Sequence, residues 1–201
     1  MIKAITFDLD GVYFPKGKKE FMDSLINLGV TKTKAEEVFF GDKMNQEYKL
    51  GKLTDDEFWT WALKKWGLDI SVKDVTDLMI KGYAVDSEVE EVVRKVRRNG
   101  YKTLICSNNF PSRIKRLQDR FNFLNDFDIA VYSYEVGIAK PDKRIFQELV
   151  NQSGVEPKEI IFADDDNEKI SGAIEVGIQA FLYEGCDKFV KKLEELGVDL
   201  S

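Results

Sequence analysis

The sequence predicts an α/β protein: a Rossmann-like parallel sheet wrapped by helices, with an all-helical block inserted after the first strand. The chain begins with an apolar run, residues 2–7, which is rich in β-branched and aromatic side chains and ends at Asp8, Asp10 and Gly11. Such a run is typical of a buried strand. From Asp86 onward, helix and strand patterns alternate, which is typical of a parallel sheet between helices.

The later elements follow from the same patterns. Four valines between residues 89 and 96 recur at i, i+3, i+4 and i+7, which predicts a helix that ends at Asn99-Gly100. Further strands are expected at 102–106, 129–132, 160–163 and 178–183, and further helices at 111–123, 142–154 and 167–177.

Residues 17–83 have a helical pattern broken by several glycines and no strand pattern. Thr54 and Glu57 have the spacing of a capping box before an aromatic run, which predicts a helix start. Because this block interrupts the first crossover, we expect it to lie over the strand ends as a lid. We expect residues 15–84 to form this helical domain, and residues 1–14 with 85–201 to form the α/β core.

Composition narrows the possible functions. Thirty basic and 36 acidic residues give a net charge of -6, which argues against a nucleic-acid or membrane surface and favours a small diffusible substrate. A strand that starts at Ile2 leaves no room for a signal peptide, and no apolar run could span a membrane, so a cytoplasmic protein is expected. Cys106 and Cys186 are expected to be buried thiols. Histidine is absent, which excludes serine–histidine and cysteine–histidine nucleophile pairs.

Polar clusters follow the predicted strands. Asp8 and Asp10 end the first strand, and the other clusters are Ser107-Asn108-Asn109, Lys140-Pro141 and Asp164-Asp165-Asp166. Taken singly, these clusters could be turn residues, a helix entrance and a helix N-cap. Together, at the carboxyl ends of parallel strands, they favour a ligand site, because adjacent carboxylates in one crevice need a proton or a cation between them.

These clusters resemble the four motifs of the haloacid dehalogenase superfamily, in which magnesium-dependent phosphatases dominate. Residues 7–12 resemble the first motif, 107–109 the second, 140–141 the third, and Asp164-Asp165 with Gly172 and Gly177 the fourth. The helical block resembles the superfamily's C1-type cap. Residues 51–54 and 162–165 most resemble members that act on sugar phosphates.

The resemblance implies a role for each motif residue. Asp8 would be the nucleophile that forms an aspartyl phosphate, and Asp10 would be the general acid and base. Ser107 and the backbone amide of Asn108 would bind phosphate oxygens, and Lys140 would neutralise negative charge. The implied ligands of Mg²⁺ are Asp8, the carbonyl of Asp10, Asp164 and Asp165. Members that displace halide lack an acid at the position of Asp10, so phosphate ester chemistry is favoured.

The chain departs from the family pattern at Asp166 and Lys169, and we expect Lys169 to project into solvent. Two alternatives to a phosphatase stay open: a phosphosugar mutase, which needs the same core, and a catalytically silent binding module. Tyr48, Lys49 and Lys52 are cap residues that could contact a substrate. A monomer and a homodimer are both compatible with the sequence.

Overall fold

The computed structural model describes all 201 residues and contains one five-stranded parallel sheet. The strands are β1 (Ala4–Phe7), β2 (Lys102–Ser107), β3 (Ile129–Tyr132), β4 (Ile160–Asp164) and β5 (Gln179–Leu182). Their spatial order is β3-β2-β1-β4-β5, and each neighbouring pair is parallel. The predicted fold class is confirmed, and the five predicted strands are present.

The chain forms eleven α-helices. Those between β1 and β2 are α1 (Gly17–Asn27), α2 (Lys32–Glu36), α3 (Lys43–Lys49), α4 (Asp55–Trp66), α5 (Val72–Lys81) and α6 (Ser87–Arg98). The later ones are α7 (Pro111–Phe121), α8 (Ser133–Val136), α9 (Lys143–Ser153), α10 (Ser171–Val176) and α11 (Cys186–Glu195). A π-helical turn, Glu37–Gly41, joins α2 to α3, and 3₁₀ turns occupy Phe123–Asp126 and Pro157–Glu159. None of these helices has the length and apolar character needed to cross a membrane.

The sheet topology sets the position of the predicted site. β1 is the central strand, and the chain adds β2 and β3 on one side of it before it adds β4 and β5 on the other. Ligands of open α/β sheets bind at such a switch of direction, beyond the carboxyl ends of the strands. In register, Phe7 lies opposite Ile105 on β2 and Ala163 on β4. Asp8 therefore leaves the sheet beside Asp164.

The two faces of the sheet are buried in separate cores. Ile5 and Phe7 belong to a large core that also includes the side chains of the helical block, and Ala4 belongs to a smaller core on the opposite face. The valine stripe of α6 is buried, as predicted. Cys106 is buried in the smaller core, but Cys186 is only partly buried at the start of α11, so the prediction was wrong for Cys186.

Aromatic stacking fixes the helical block against the α/β part of the chain. The ring of Tyr48 lies between Phe58 and Phe110, with centroid distances of 4.2 and 4.8 Å. Tyr48 and Phe58 belong to the helical block, whereas Phe110 directly precedes α7. The predicted capping box at Thr54 is present and orients α4 for this contact. One continuous apolar core therefore crosses the boundary between the two parts.

Gly172 allows α10 to pack against the segment that carries Lys140. A Cβ atom at Gly172 would lie 2.0 Å from the carbonyl oxygen of Pro141, so no side chain fits there without backbone movement. We expect Gly172→Ala to lower the free energy of unfolding by about 1–3 kcal/mol, as overpacking does. Urea unfolding followed by circular dichroism measures this change.

Gly41→Ala is the matched control for this substitution. No atom lies within 4 Å of a Cβ built at Gly41. The control variant should keep or slightly raise the wild-type unfolding midpoint, because alanine restricts the unfolded chain. Equal midpoints for both variants would show that the contact at Pro141 relaxes without cost.

Candidate active site

Asp8 and Lys140 form the centre of the site. Asp8 is 3% exposed, and its backbone N–H donates to the carbonyl of Ala163 at 3.2 Å, which extends the pairing of β1 with β4. The Nζ atom of Lys140 lies 3.0 Å from Asp8 Oδ1 and 2.5 Å from Asp164 Oδ2. It also donates to the carbonyl of Cys106 at 2.8 Å. The parallel topology thus brings three of the predicted residues together.

Asn108 holds Lys140 in place. Its amide nitrogen donates to the carbonyl of Lys140 at 2.9 Å, and its amide oxygen accepts the N–H of Lys140 at 2.8 Å. Because both groups of this side chain are engaged, the phosphate contact predicted for Asn108 depends on its backbone. Ser107 is buried beside it, and its hydroxyl accepts a long hydrogen bond, 3.4 Å, from Asn109.

Burial and mutual charge shift the pKa values of this cluster. Burial raises the pKa of Asp8, Lys140 opposes this rise, and the negative charge of Asp164 adds to it. Burial alone would lower the pKa of Lys140, but the carboxylates of Asp8 and Asp164 raise it above its usual value. Lys140 therefore stays protonated and supplies a fixed positive charge next to Asp8.

The acidic residues fit a magnesium ion. Carboxylate oxygens of Asp8, Asp164 and Asp165 lie within 4.8 Å of one another. Asp8 Oδ1 is buried, and the Lys140 ammonium 3.0 Å away pairs with it without hydrogen-bond geometry. Gly11 has a φ of +91°, which disfavours any other residue there, and a Cβ would lie 2.0 Å from the Asp165 carboxylate and displace it. Asp8 and Asp164 are buried and Asp165 is exposed, and three carboxylates supply the hard oxygen ligands that Mg²⁺ prefers.

The charged groups around Asp10 differ from those around Asp8. It is 5% exposed, it forms an ion pair with the guanidinium of Arg113, and it accepts a hydrogen bond from the Tyr83 hydroxyl at 3.0 Å. Lys18 Nζ lies 3.2 Å away. Burial alone would raise the pKa of Asp10, but Arg113 and Lys18 lower it to about 2.

The partners of Asp10 were not identified as functional residues in the sequence. Arg113 is 1% exposed, and its guanidinium lies 4.1 Å from the ring centroid of Phe110. The sequence did contain a signal for it. Arg113 shares the buried face of α7 with Ile114 and Leu117, where an apolar side chain is expected. A charged residue at such a position needs a partner.

The expectation that Lys169 projects into solvent was wrong. Its Nζ atom lies 3.7 Å from Asp164 Oδ1 and 3.4 Å from Asp166 Oδ2, and only 24% of the side chain is exposed. Burial would lower the pKa of Lys169, but the charges of Asp164 and Asp8 raise it. Carboxylates outnumber ammonium groups in this part of the site. The ammonium group of Lys169 is therefore attracted to the carboxylates rather than exposed to solvent.

Lys169 places a positive charge next to a predicted metal ligand. We expect Lys169→Met to tighten Mg²⁺ binding roughly tenfold, because it removes a like charge a few ångströms from the ion. Isothermal titration calorimetry with MgCl₂ measures the dissociation constant. Lys64→Met, an exposed lysine of α4, is the control. Equal or weaker binding by the Lys169 variant would contradict the expectation.

The low pKa of Asp10 makes a prediction about stability. Since its pKa falls from 3.8 to about 2 on folding, the ionised group stabilises the protein above pH 4, by about 2 kcal/mol. This contribution is lost as the pH falls through 2. In EDTA, Asp10→Asn should be less stable than wild type at pH 7, by up to about 5 kcal/mol because Arg113 loses its partner.

The stability difference between the two proteins should narrow as the pH falls from 4 toward 2. Urea midpoints over a pH series measure it. Asp69→Asn, at an exposed position, controls for the loss of a carboxylate. A difference that does not change with pH would contradict the assignment.

Comparison with known proteins identifies the family. The model of the haloacid dehalogenase-like hydrolase family matches residues 2–177. D-ribitol-5-phosphate phosphatase of Bacteroides thetaiotaomicron is 26% identical over 196 residues, which cover 93% of this chain and 95% of the relative.

Solved structures have the same fold. A HAD-like family hydrolase from Porphyromonas gingivalis has a TM-score of 0.82 at 21% identity, with 99% of both chains covered. A HAD family enzyme from Bacteroides thetaiotaomicron, in complex with magnesium and inorganic phosphate, has a TM-score of 0.80 at 24% identity, with 92% of this chain and 95% of the other covered. The family match spans the four motifs, so the resemblance of these motifs to the family is confirmed: this chain is an enzyme that belongs to the haloacid dehalogenase-like hydrolase family.

Proposed function

We propose that this hydrolase is a magnesium-dependent phosphatase that acts on a small phosphorylated metabolite of the sugar phosphate type through an aspartyl phosphate on Asp8. The observation that carries the proposal is the pairing of Asp8 with Lys140, beside two further carboxylates. The relative that acts on D-ribitol 5-phosphate supports the substrate class.

Asp8 is suited to attack phosphorus. Its carboxylate lies at the open end of β1, and Lys140 offsets both its charge and that of an approaching phosphate. In the first step, a carboxylate oxygen of Asp8 bonds to phosphorus while the bond to the ester oxygen breaks. Ser107 and the backbone N–H of Asn108 would bind phosphate oxygens and orient the group for this attack.

Asp10 would move the protons. It would protonate the leaving alkoxide, then take a proton from the water that cleaves the aspartyl phosphate and releases inorganic phosphate. The ionised form, which Arg113 and Lys18 favour, is the one that the second step needs. The first step needs a higher pKa, and the negative charge of a bound phosphate next to Asp10 would raise it.

Asp8, the carbonyl of Asp10, Asp164 and Asp165 would hold Mg²⁺. The ion would supply positive charge that neutralises the phosphate and lets these carboxylates stay ionised together. Lys140 and Lys169, which contact Asp164, would compensate the rest of the negative charge.

We further propose that residues 15–84 act as a cap domain over the core formed by residues 1–14 and 85–201. Two contacts support this division. Lys18 and Tyr83 lie close to the two points where the chain passes between the parts, and both reach Asp10. The helical block would therefore cover the leaving-group side of the site and exclude water there.

The test is hydrolysis of p-nitrophenyl phosphate and of sugar phosphates, with MgCl₂ or with EDTA. Wild type should release phosphate only with Mg²⁺, and Asp8→Asn should lose at least about 10³-fold in kcat, because it removes the nucleophile. Asp69→Asn should keep the wild-type rate, and thermal unfolding should show that all proteins are folded.

The remaining outcomes separate the alternatives. Isomerisation of a sugar phosphate that requires a bisphosphate primer would indicate a mutase. No reaction with any ester, in a folded protein that binds Mg²⁺, would indicate a binding module.

A further inference from the structure

A cavity lies between the helical block and α7. It is lined by Lys18, Lys49, Tyr83 and Arg113, with an apolar wall that includes Phe39 and Met79. Lys18, Tyr83 and Arg113 all contact Asp10, so the cavity is next to the proposed general acid. Since that acid would protonate the leaving oxygen, the leaving group of the substrate would extend into this space.

The polar wall of the cavity carries more positive than negative charge. Arg113 and Lys18 share the single carboxylate of Asp10. Lys49 forms no ion pair and no hydrogen bond through its ammonium group. Burial and the positive charges of Lys18 and Arg113 lower the pKa of Lys49 to about 7. A partly buried amine among like charges costs free energy, and an anionic ligand would offset that cost.

Packing fixes the position of Lys49 from both sides. Its carbonyl accepts a hydrogen bond from the Ser133 hydroxyl at 2.7 Å, which ties α3 to α8. The residue before it, Tyr48, stacks between two aromatic rings, and its hydroxyl lies 2.8 Å from Ser112 Oγ. Lys49 thus differs from Lys52 and Lys64, which are exposed. Lys49 therefore lies in the packed wall of the cavity and not on the solvent-exposed surface.

We propose that Lys49 is a specificity-determining residue that binds a second anionic group on the leaving-group side of the substrate. The enzyme then prefers phosphate esters that carry a carboxylate or a second phosphate over neutral esters of the same size. This inference rests on the proposed function, because it places the leaving group by the role of Asp10. The apolar wall beside Lys49 suits the short carbon chain between the two charged ends.

Three esters with one carbon skeleton test the inference. Glycerol 3-phosphate has a neutral end, 3-phosphoglycerate has a carboxylate, and glycerol 1,3-bisphosphate has a second phosphate. Wild type should show a kcat/KM at least about tenfold higher for one or both anionic esters than for glycerol 3-phosphate. The ester with the higher value identifies which anion the site takes.

Variants assign the preference to Lys49. Lys49→Met keeps the length of the side chain without its charge, and should lower kcat/KM for the preferred anionic ester roughly 10- to 100-fold. The same variant should change the value for glycerol 3-phosphate by less than about threefold. Lys49→Arg should retain most of the preference, and Lys64→Met should match wild type.

The controls separate this inference from the proposed function. Turnover of p-nitrophenyl phosphate with Mg²⁺ tests the phosphatase itself. If nothing is hydrolysed, calorimetric binding of the same three esters to wild type and Lys49→Met tests the anion preference alone. Equal preference for neutral and anionic esters, or a preference that survives in Lys49→Met, would overturn the inference.

Discussion

The structure depends on the compensation of like charges at the buried end of two neighbouring strands. Because β1 and β4 are parallel and in register, Asp8 and Asp164 leave the sheet side by side, where their repulsion is strongest. Lys140 lies against both carboxylates and makes this arrangement stable. Much of the surrounding structure positions that one ammonium group: Asn108 binds its backbone, and Gly172 lets α10 approach the next residue. Burying a carboxylate costs free energy unless it is paired with a positive charge. The contacts that hold Lys140 in place therefore also stabilise the buried Asp8 and Asp164.

The sequence predicted the elements whose signal is local. Strands with β-branched runs and helices with apolar stripes can be recognised in windows of about ten residues. Once the strands are taken as parallel, their carboxyl ends meet at one edge of the sheet, which predicts that Asp8, Lys140 and Asp164 lie close together. The ion pair of Asp10 with Arg113 joins positions 103 residues apart, so the local pattern of α7 shows that Arg113 needs a partner but not that Asp10 is that partner. The short helix α8 and the last helix α11 were not predicted. In α11 only Phe189 and Leu193 are buried, so its apolar stripe is narrow.

Lys169 shows why a rule about single residues fails inside a charge cluster. A lysine in a turn after a strand is usually solvated, because its ammonium group loses hydration when buried. Here four carboxylates lie close to the ends of β1 and β4: Asp8, Asp164, Asp165 and Asp166. The single positive charge of Lys140 cannot compensate all of them. The attraction of this excess negative charge exceeds the cost of lost hydration. The position of Lys169 therefore depends on the summed charge of the site, which a linear sequence does not display.

The site has two parts whose net charges have opposite signs. On one side, the carboxylates exceed Lys140 and Lys169, so this half lacks a cation. On the other side, Lys18, Lys49 and Arg113 face only Asp10, so this half lacks an anion. Under the proposed function, a divalent cation would complete the first half and the negative charges of the substrate would complete the second. Asp10 lies between the halves, and its protonation therefore depends on whether both ligands are bound, which would link proton transfer to the filled site.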